Sequence, residues 1–376
     1  MKLATTTLVF CVAALLALGM VMLYSSSMAD KGTNYLSRQL IWCALGLVGA
    51  VAAASLDYRL LKKFAWPLFV LAVVMLALVL IPHIGFKMNG ARRWFKLPLG
   101  VRFEPSELGK MALILVVAWY GEHFQRQMPG WKKGILIPGL FIGLVIGLIF
   151  VEPDRGTTIL MACVTGAMLL IAGVRWKFLV PPLVAAVAGL AYSLVHDPMR
   201  TKRIFAWLYL EEHKNGIGYQ ANQAMLALGA GGWTGLGLGN SRQKLGFLPE
   251  HNTDFIFSII GEELGLVATL LVILGFLLVF ISGIYIAYRA SDTFGMLLGS
   301  GITFLIGLQA FINIGVVTSA LPNKGLPLPF ISYGGSNLLM MLISVGLLIS
   351  IARKARVTAP AGGALDHEGI PSPQYS

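Results

Sequence analysis

Apolar residues in this chain come in long unbroken runs rather than in alternation or on one helical face. The runs recur near 3–23, 38–55, 65–82, 107–121, 135–150, 157–174, 178–195, 260–288, 294–317 and 337–352. Their lengths approach the roughly 20 residues that a helix needs to cross a hydrocarbon core of about 30 Å. Backbone in lipid must satisfy its own hydrogen bonds, and the alternating strands of a barrel are absent. The pattern therefore predicts an all-α polytopic membrane protein of about ten transmembrane helices, with both termini on one side. The first run follows Lys2 alone and is too long and uniform for a secretory signal, so it is read as a retained first helix.

The interruptions are as informative as the runs. A large outer loop, about 196–254, separates the seventh and eighth helices and is too long for a simple connector. It carries an amphiphilic stretch, Phe205 to Leu210, suited to the membrane interface, and then a Gly-rich segment from Gly229 to Gly239. Between Asn313 and Ser336 the density of Pro and Gly predicts a rigid re-entrant loop. One transmembrane domain is expected over 1–356, followed by a polar, disordered cytoplasmic tail over 357–376.

Composition agrees, since 57% of residues are hydrophobic and 12% charged, which excludes a soluble enzyme. Net charge adds something new. At +12 it invites a nucleic-acid reading, but the basic residues sit in short segments between apolar runs, so no nucleic acid is expected. With the termini inside, 13 of the 29 Lys and Arg residues fall on inner segments. The short outer loops hold only Lys31, Arg38, Arg155 and Lys324, whereas the segments near 83–110 and 196–253 hold 12. Those two outer segments need a reason of their own, and a bound anion is one. Cys11, Cys43 and Cys163 all lie inside apolar runs, so neither a disulfide nor a zinc site is expected.

Four constellations could carry chemistry. The first is Gly90-Ala91-Arg92-Arg93-Trp94 with Arg102, Glu104, Pro105, Ser106, Glu107 and Lys110. Ser106 can cap the fourth helix and Glu107 can pair with Lys110, but Lys110 lies a full turn inside an apolar helix, where an ionisable group faces a cavity or a partner. The arginines match phosphate oxygens. The second is the turn Glu152-Pro153-Asp154-Arg155-Gly156, in which Asp154 is expected to cap the sixth helix. The third is the set Tyr219, Gln220 and Gln223 with Gly239 to Leu245, including Lys244, whose amides and hydroxyls suit a sugar. The fourth is Leu248-Pro249-Glu250-His251-Asn252-Thr253-Asp254-Phe255, where Asp254 is the last polar residue before large apolar side chains. Partial desolvation there raises a carboxylate toward the range of a general base, although Asp254 or Thr253 could equally cap the following helix.

Taken together these segments resemble the SEDS family (shape, elongation, division and sporulation), along nearly the whole chain to about residue 356. The resemblance rests on Gly90 to Trp94, Pro105-Ser106-Glu107-Leu108 with Lys110, Pro153-Asp154 with Gly156, Gly239-Asn240-Ser241 with Gln243-Lys244-Leu245, Leu248-Pro249-Glu250, Thr253 to Phe257, Gly261 to Gly265, and Leu328-Pro329-Phe330 to Ser336. The Gly-Asn-Ser and Gln-Lys-Leu elements look more like the cell-division member than the elongation member. The resemblance implies a peptidoglycan glycosyltransferase that polymerises lipid II and releases undecaprenyl diphosphate. It also implies that Asp254 is the catalytic carboxylate, working in the bacterial cytoplasmic membrane at the division septum with a class B penicillin-binding transpeptidase and divisome proteins.

On that basis Arg92, Arg93, Arg102, Glu107, Lys110, Gln220, Gln223, Lys244 and Ser332 are expected to bind the lipid diphosphate and sugars. Asp154, Glu250, Thr253, Pro329, Gly334 and Gly335 are expected to support the site. No metal site is marked by a compact carboxylate cluster, and a weakly held divalent cation, Mg or Mn, stays open. The chain departs from the family pattern at Asn252, where His is usual, at Glu152, where Gln is usual, and at Ala224, where Ser is frequent. Two other functions stand beside the polymerase, a lipid II flippase and a scaffold for the transpeptidase. Strong polar clusters confined to one face lower the transporter reading.

Overall fold

The protein is described from a computed structural model over residues 1–27, 34–88, 91–96, 102–196 and 198–358. Thirteen α-helices are present among the described residues. The first three are α1 (Lys2–Ser27), α2 (Asn34–Ser55) and α3 (Leu61–Leu80). They are followed by α4 (Pro105–His123), α5 (Ile137–Val151), α6 (Arg155–Ile171) and α7 (Trp176–His196). Next come α8 (Pro198–Leu208), α9 (Leu210–His213) and α10 (Tyr219–Gly231), and finally α11 (Ile256–Tyr288), α12 (Thr293–Val317) and α13 (Gly335–Thr358). Seven helical segments among the described residues are long and apolar enough to cross a membrane. Helices α4, α6 and α7 lie where apolar runs predict the remaining spans.

Helices α4, α12 and α13 form the centre. α4 is buried on nearly every side from Pro105 to Gly121, against α3, α6, α12 and α13. A helix covered all round can carry polar residues without exposing them to lipid, which is how Glu107 and Lys110 come to lie within it. The peripheral helices instead present large apolar side chains outward, among them Phe10, Val48, Leu140 and Leu183. α1 packs along α11 and α2 along α13.

Three features differ from the sequence expectation. A three-stranded antiparallel sheet, β1 (Phe86–Met88), β2 (Ala91–Lys96) and β3 (Arg102–Phe103), joins α3 to α4. Its six-residue central strand is too short for periodicity to announce it. The segment expected as one long loop between two spans contains three helices, α8 to α10. Finally, α13 runs to Thr358, past the domain boundary expected at 356. The tail over 359–376 and Gly90 of the basic motif lie outside the described residues.

Helix α11 is broken at Gly265, whose φ of 77° and ψ of −173° are open to glycine and strained for other residues. The backbone groups freed by the break are taken up by the Gly-rich segment. Leu266 N–H donates to Gly232 C=O (2.9 Å), and the N–H groups of Leu236 and Gly237 donate to Glu262 and Glu263 C=O (both 2.9 Å). Irregular backbone inside the bundle is thus covered by protein, as it must be at membrane depth.

Candidate active site

Asp254 lies in the turn that precedes α11. Neither it nor Thr253 caps that helix, because α11 begins at Ile256 behind Phe255 with no side-chain cap. Thr253 Oγ1 instead donates to Glu250 Oε2 (3.0 Å), and Glu250 takes a φ of 57° that helps to turn the chain. The carbonyls of the turn are fully engaged. Tyr333 N–H donates to Asn252 C=O (2.9 Å), Ser332 Oγ to Thr253 C=O (2.6 Å), and Asn313 Nδ2 to Asp254 C=O (2.8 Å). Donors from α12 and from the loop that follows it therefore clamp the turn, while no described residue hydrogen-bonds the Asp254 carboxylate.

That loop is ordered by its own bonds. Ser332 Oγ accepts from Leu328 N–H (2.8 Å), Gln309 Nε2 donates to Pro327 C=O (2.9 Å) and Asn313 Nδ2 also reaches Leu326 C=O (2.6 Å). Pro329 precedes Phe330, which is buried with a φ of 65°. Such a conformation costs on the order of 1–3 kcal/mol and persists only where packing over-determines it. Gly334 N–H donates to Gln39 Oε1 (3.3 Å), and at Gly335 a Cβ would lie 2.0 Å from the Trp42 ring, so glycine there lets the start of α13 approach α2 closely.

Glycine at 325 has a direct bearing on the carboxylate, because a Cβ there would lie 2.3 Å from Asp254 Oδ2. The atom in the way is the end of a side chain, so Gly325→Ala is expected to leave the fold intact and displace the carboxylate. A displacement near 1 Å costs about 100-fold in rate. Polymerisation kinetics together with an unchanged thermal unfolding curve are the check.

A second wall comes from β2 and the α5–α6 turn. Register in the sheet shifts between Phe86 and Lys87, so β2 bulges at Arg93. A bulge re-aims a side chain, and here Arg93 reaches the turn. Its Nε donates to Glu152 C=O (2.9 Å), one Nη donates to Pro153 C=O (2.8 Å), and the other lies 3.7 Å from Asp154 Oδ2. Asp154 caps α6 as expected, accepting from Thr157 N–H (3.1 Å) and Thr157 Oγ1 (2.9 Å).

These groups share one electrostatic environment with Asp254. Burial first, and then the charges of Glu250 and Asp154, push the Asp254 carboxyl up to about 7 against the opposing pull of Arg93. Glu104, just before α4, is also pushed above the usual carboxylate range by burial and by Glu107 and Asp154. Glu152 is fully buried with both carboxyl oxygens unpartnered among the described residues, and burial, then Glu104 and Asp154, push it up to about 9. It is therefore held neutral near pH 7, like the amide usual at this position. Its neutral form contributes stability in full below the ordinary carboxylate range, and that contribution is lost as pH rises through about 9. Glu152→Gln is accordingly expected to unfold at a higher temperature than the parent at pH 9 and at nearly the same temperature at low pH, as thermal melts at several pH values will show.

The remaining expected site residues divide between other networks. Lys110 is fully buried and donates to Glu107 Oε1 (2.9 Å) and Gln309 Oε1 (3.2 Å), while Asn337 Nδ2 donates to Glu107 Oε2 (3.1 Å). This chain ties α4 to α12 and α13 and, through Gln309, to the loop beneath Asp254. Ser106 is not the cap of α4. Glu104 holds that position, Pro105 opens the helix, and Ser106 Oγ donates to Glu104 Oε1 (3.1 Å). Lys244 is far from a free cation, for its Nζ donates to Glu263 Oε1 (2.7 Å) and Ser25 Oγ (3.2 Å) where α1 meets α11. Gln220 accepts from Asn323 Nδ2 (3.1 Å), and Gln223 is half-buried on α10. Arg92 and Arg102 lie on the sheet, with Arg102 over the Phe86 ring at 5.2 Å. His251 Nδ1 lies 3.0 Å from Leu248 C=O, within its own turn.

Sequence reasoning missed Gln309, Asn313, Asn337 and Gly325. The signal was present for two of them, since Gln309 and Asn313 stand four apart in an apolar helix and so share a face that needs a polar neighbour. Among the described residues no three His, Cys, Asp or Glu side chains are grouped to hold a metal ion.

Comparison with known proteins adds to this geometry. The chain is 42% identical over 362 residues to a probable peptidoglycan glycosyltransferase FtsW of Trichlorobacter lovleyi, covering 95% of this chain and 94% of that one. It is 36% identical over 354 residues to stage V sporulation protein E of Bacillus subtilis, covering 91% and 95%. A solved structure on the coordination of polymerisation and crosslinking by a peptidoglycan synthase complex contains a chain matched with a TM-score of 0.77 and 28% identity, covering 93% and 97%. The rod shape determining protein RodA of Thermus thermophilus matches with a TM-score of 0.67 and 28% identity, covering 93% and 96%. Residues 6–357 match a family model described as a cell cycle protein. A membrane bundle of this shape, matched along nearly its whole length, belongs to the FtsW/RodA/SpoVE family of cell cycle proteins.

Proposed function

We propose that the protein is a peptidoglycan glycosyltransferase that polymerises lipid II into glycan strands and releases undecaprenyl diphosphate, with Asp254 as its general base. The observation that carries this reading is a carboxylate raised to about 7, clamped by its main chain and without a hydrogen-bond donor among the described residues. An acceptor sugar hydroxyl is a poor nucleophile, and a base titrating near neutrality is matched to removing its proton. In the reaction Asp254 takes that proton as the hydroxyl oxygen bonds to the anomeric carbon of the donor. The bond from that carbon to the diphosphate oxygen breaks, and the diphosphate leaves with the electron pair. Asp254 then returns the proton to water.

Arg93 holds the 152–154 turn and places a positive charge near the carboxylate. The polyprenyl tail of the leaving group must stay in the bilayer, which suits a base located where α11 begins. The resemblance of the Gly239 to Leu245 segment to the division branch, and the FtsW relatives, support septal synthesis in the cytoplasmic membrane. A penicillin-binding transpeptidase is the partner that a synthase complex of this fold would require. Any divalent cation is expected to arrive with the diphosphate rather than to reside in the protein. The test supplies purified protein and its partner with lipid II. Glycan strands are expected from the parent, and equal strands from Asp254→Asn, or translocation of lipid II without polymerisation, would overturn the reading.

A further inference from the structure

Arg93 is one of five cations between Phe86 and Phe103, a stretch that contains no Asp or Glu. It alone is committed to the 152–154 turn. Among the described residues no carboxylate pairs with Lys87, Arg92, Lys96 or Arg102. The register makes their arrangement unusual. Lys87 lies opposite Arg92 on the β1–β2 ladder, and Lys96 lies opposite Arg102 on the β2–β3 ladder. Like charges directly opposite destabilise a sheet, so two such pairs on one small sheet call for an external anion.

Parity along the strands assigns the pairs to different faces. Phe86 and Lys87 are adjacent on β1 and point to opposite sides, so Trp94, opposite Phe86, lies on the face away from Arg92, opposite Lys87. Lys96 follows Trp94 by two residues and shares its face, together with its partner Arg102. The Arg102 guanidinium over the Phe86 ring is the contact that this assignment requires. Each face of the sheet therefore carries one like-charge pair, and one face adds two aromatic rings. Lys87, Lys96 and Arg102 are exposed, and β2 packs against both α3 and α4, at the end of the bundle where those two spans meet.

We propose that this sheet is a docking surface for the phosphate headgroups of anionic phospholipids in the surrounding bilayer. Lys87, Arg92, Lys96 and Arg102 are the phosphate donors, and Trp94 and Phe86 are seated at the headgroup boundary, where aromatic rings are favoured. The lipid substrate's single diphosphate is the weaker occupant, because one such group cannot engage pairs on two opposite faces, whereas a headgroup layer meets both. Docking fixes the height of β2, and with it the Arg93 guanidinium that grips the active-site turn. The inference stands independently of the glycosyltransferase reading.

The test reconstitutes the full-length protein in nanodiscs containing brominated phosphatidylglycerol or brominated phosphatidylcholine. Quenching of Trp94 is read as the difference between the parent and Trp94→Phe. Stronger quenching by the anionic lipid is expected. Each cation near such a surface is worth about fivefold, so Lys96→Gln/Arg102→Gln is expected to cut the preference about 25-fold. Should that double variant fail to fold, Lys96→Gln at its exposed position is expected to cut it about fivefold. Equal quenching by the two lipids, or a preference unmoved by charge removal in a folded variant, overturns the proposal. So does displacement of the anionic lipid by inorganic pyrophosphate at constant ionic strength, which would assign the cations to a diphosphate.

Discussion

Asp254→Asn is expected to lower glycan polymerisation by at least about 100-fold, the lower end of what a positioned general base contributes. The amide keeps the shape of the side chain and leaves the main-chain clamp on residues 252–254 untouched, so the loss isolates proton transfer from folding. A general base acts in its carboxylate form, so on the proposed role the rate should fall as pH drops through about 7 and level off above it. Initial rates from about pH 5.5 to 8.5, with chemistry rate-limiting, are the measurement, and a flat profile would remove the base assignment. Stability runs the other way. A carboxyl whose folded value is raised favours the protonated fold, and that contribution fades as pH climbs from the ordinary range through about 7. Asp254→Asn should therefore melt at a higher temperature than the parent at pH 8, so that the residue trades stability for activity.

The second large effect is expected at Lys110. Lys110→Met leaves the buried Glu107 carboxylate without its cation, and breaking a buried pair from one side costs on the order of 3–5 kcal/mol. Because Gln309 joins this pair to Pro327, the loop that clamps Asp254 should loosen as well, and activity should fall together with the melting temperature. The double variant Glu107→Gln/Lys110→Met removes both charges, and Asn337 can still donate to the amide oxygen, so most of the lost stability should return. Thermal unfolding of the two single variants and the double gives the coupling. If Lys110 served chiefly as a diphosphate ligand, the single variant would keep its melting temperature and raise KM, and the double would recover nothing.

Much of the site was visible in the residue order, but the division of labour was not. Asp154 as a helix cap and Glu107 with Lys110 as a pair at i,i+3 follow from local spacing, and both hold. Lys110, Lys244 and Arg93 looked alike as cations available to an anion. Their fates differ because of partners far away in sequence: Gln309 for Lys110, Ser25 and Glu263 for Lys244, and the carbonyls of Glu152 and Pro153 for Arg93. Asp254 and Ser106 could equally have been caps. Whether a side chain turns back to its own helix depends on where the helix starts, and that is set by Pro105 in one case and by the clamped turn before Ile256 in the other.

The runs of apolar residues by themselves determined that the chain is a helical membrane protein and where most helices lie. Lipid offers no hydrogen bonds, so long apolar segments have a single stable backbone solution, and that solution is local. The motif residues, by their identity and order, determined the family and picked out Asp254. Only the tertiary structure decided that no described residue hydrogen-bonds the carboxylate, that Gly325 must lack a Cβ beside it, and that a short sheet carries the basic motif with Arg93 turned to one wall. Those features depend on contacts between residues far apart in the chain, 59 positions for Arg93 with Glu152 and 79 for Ser332 with Thr253, and on desolvation by elements that meet only in the folded bundle. No local pattern records such contacts, because each one is energetically meaningful only once its partner has been brought within a few ångströms.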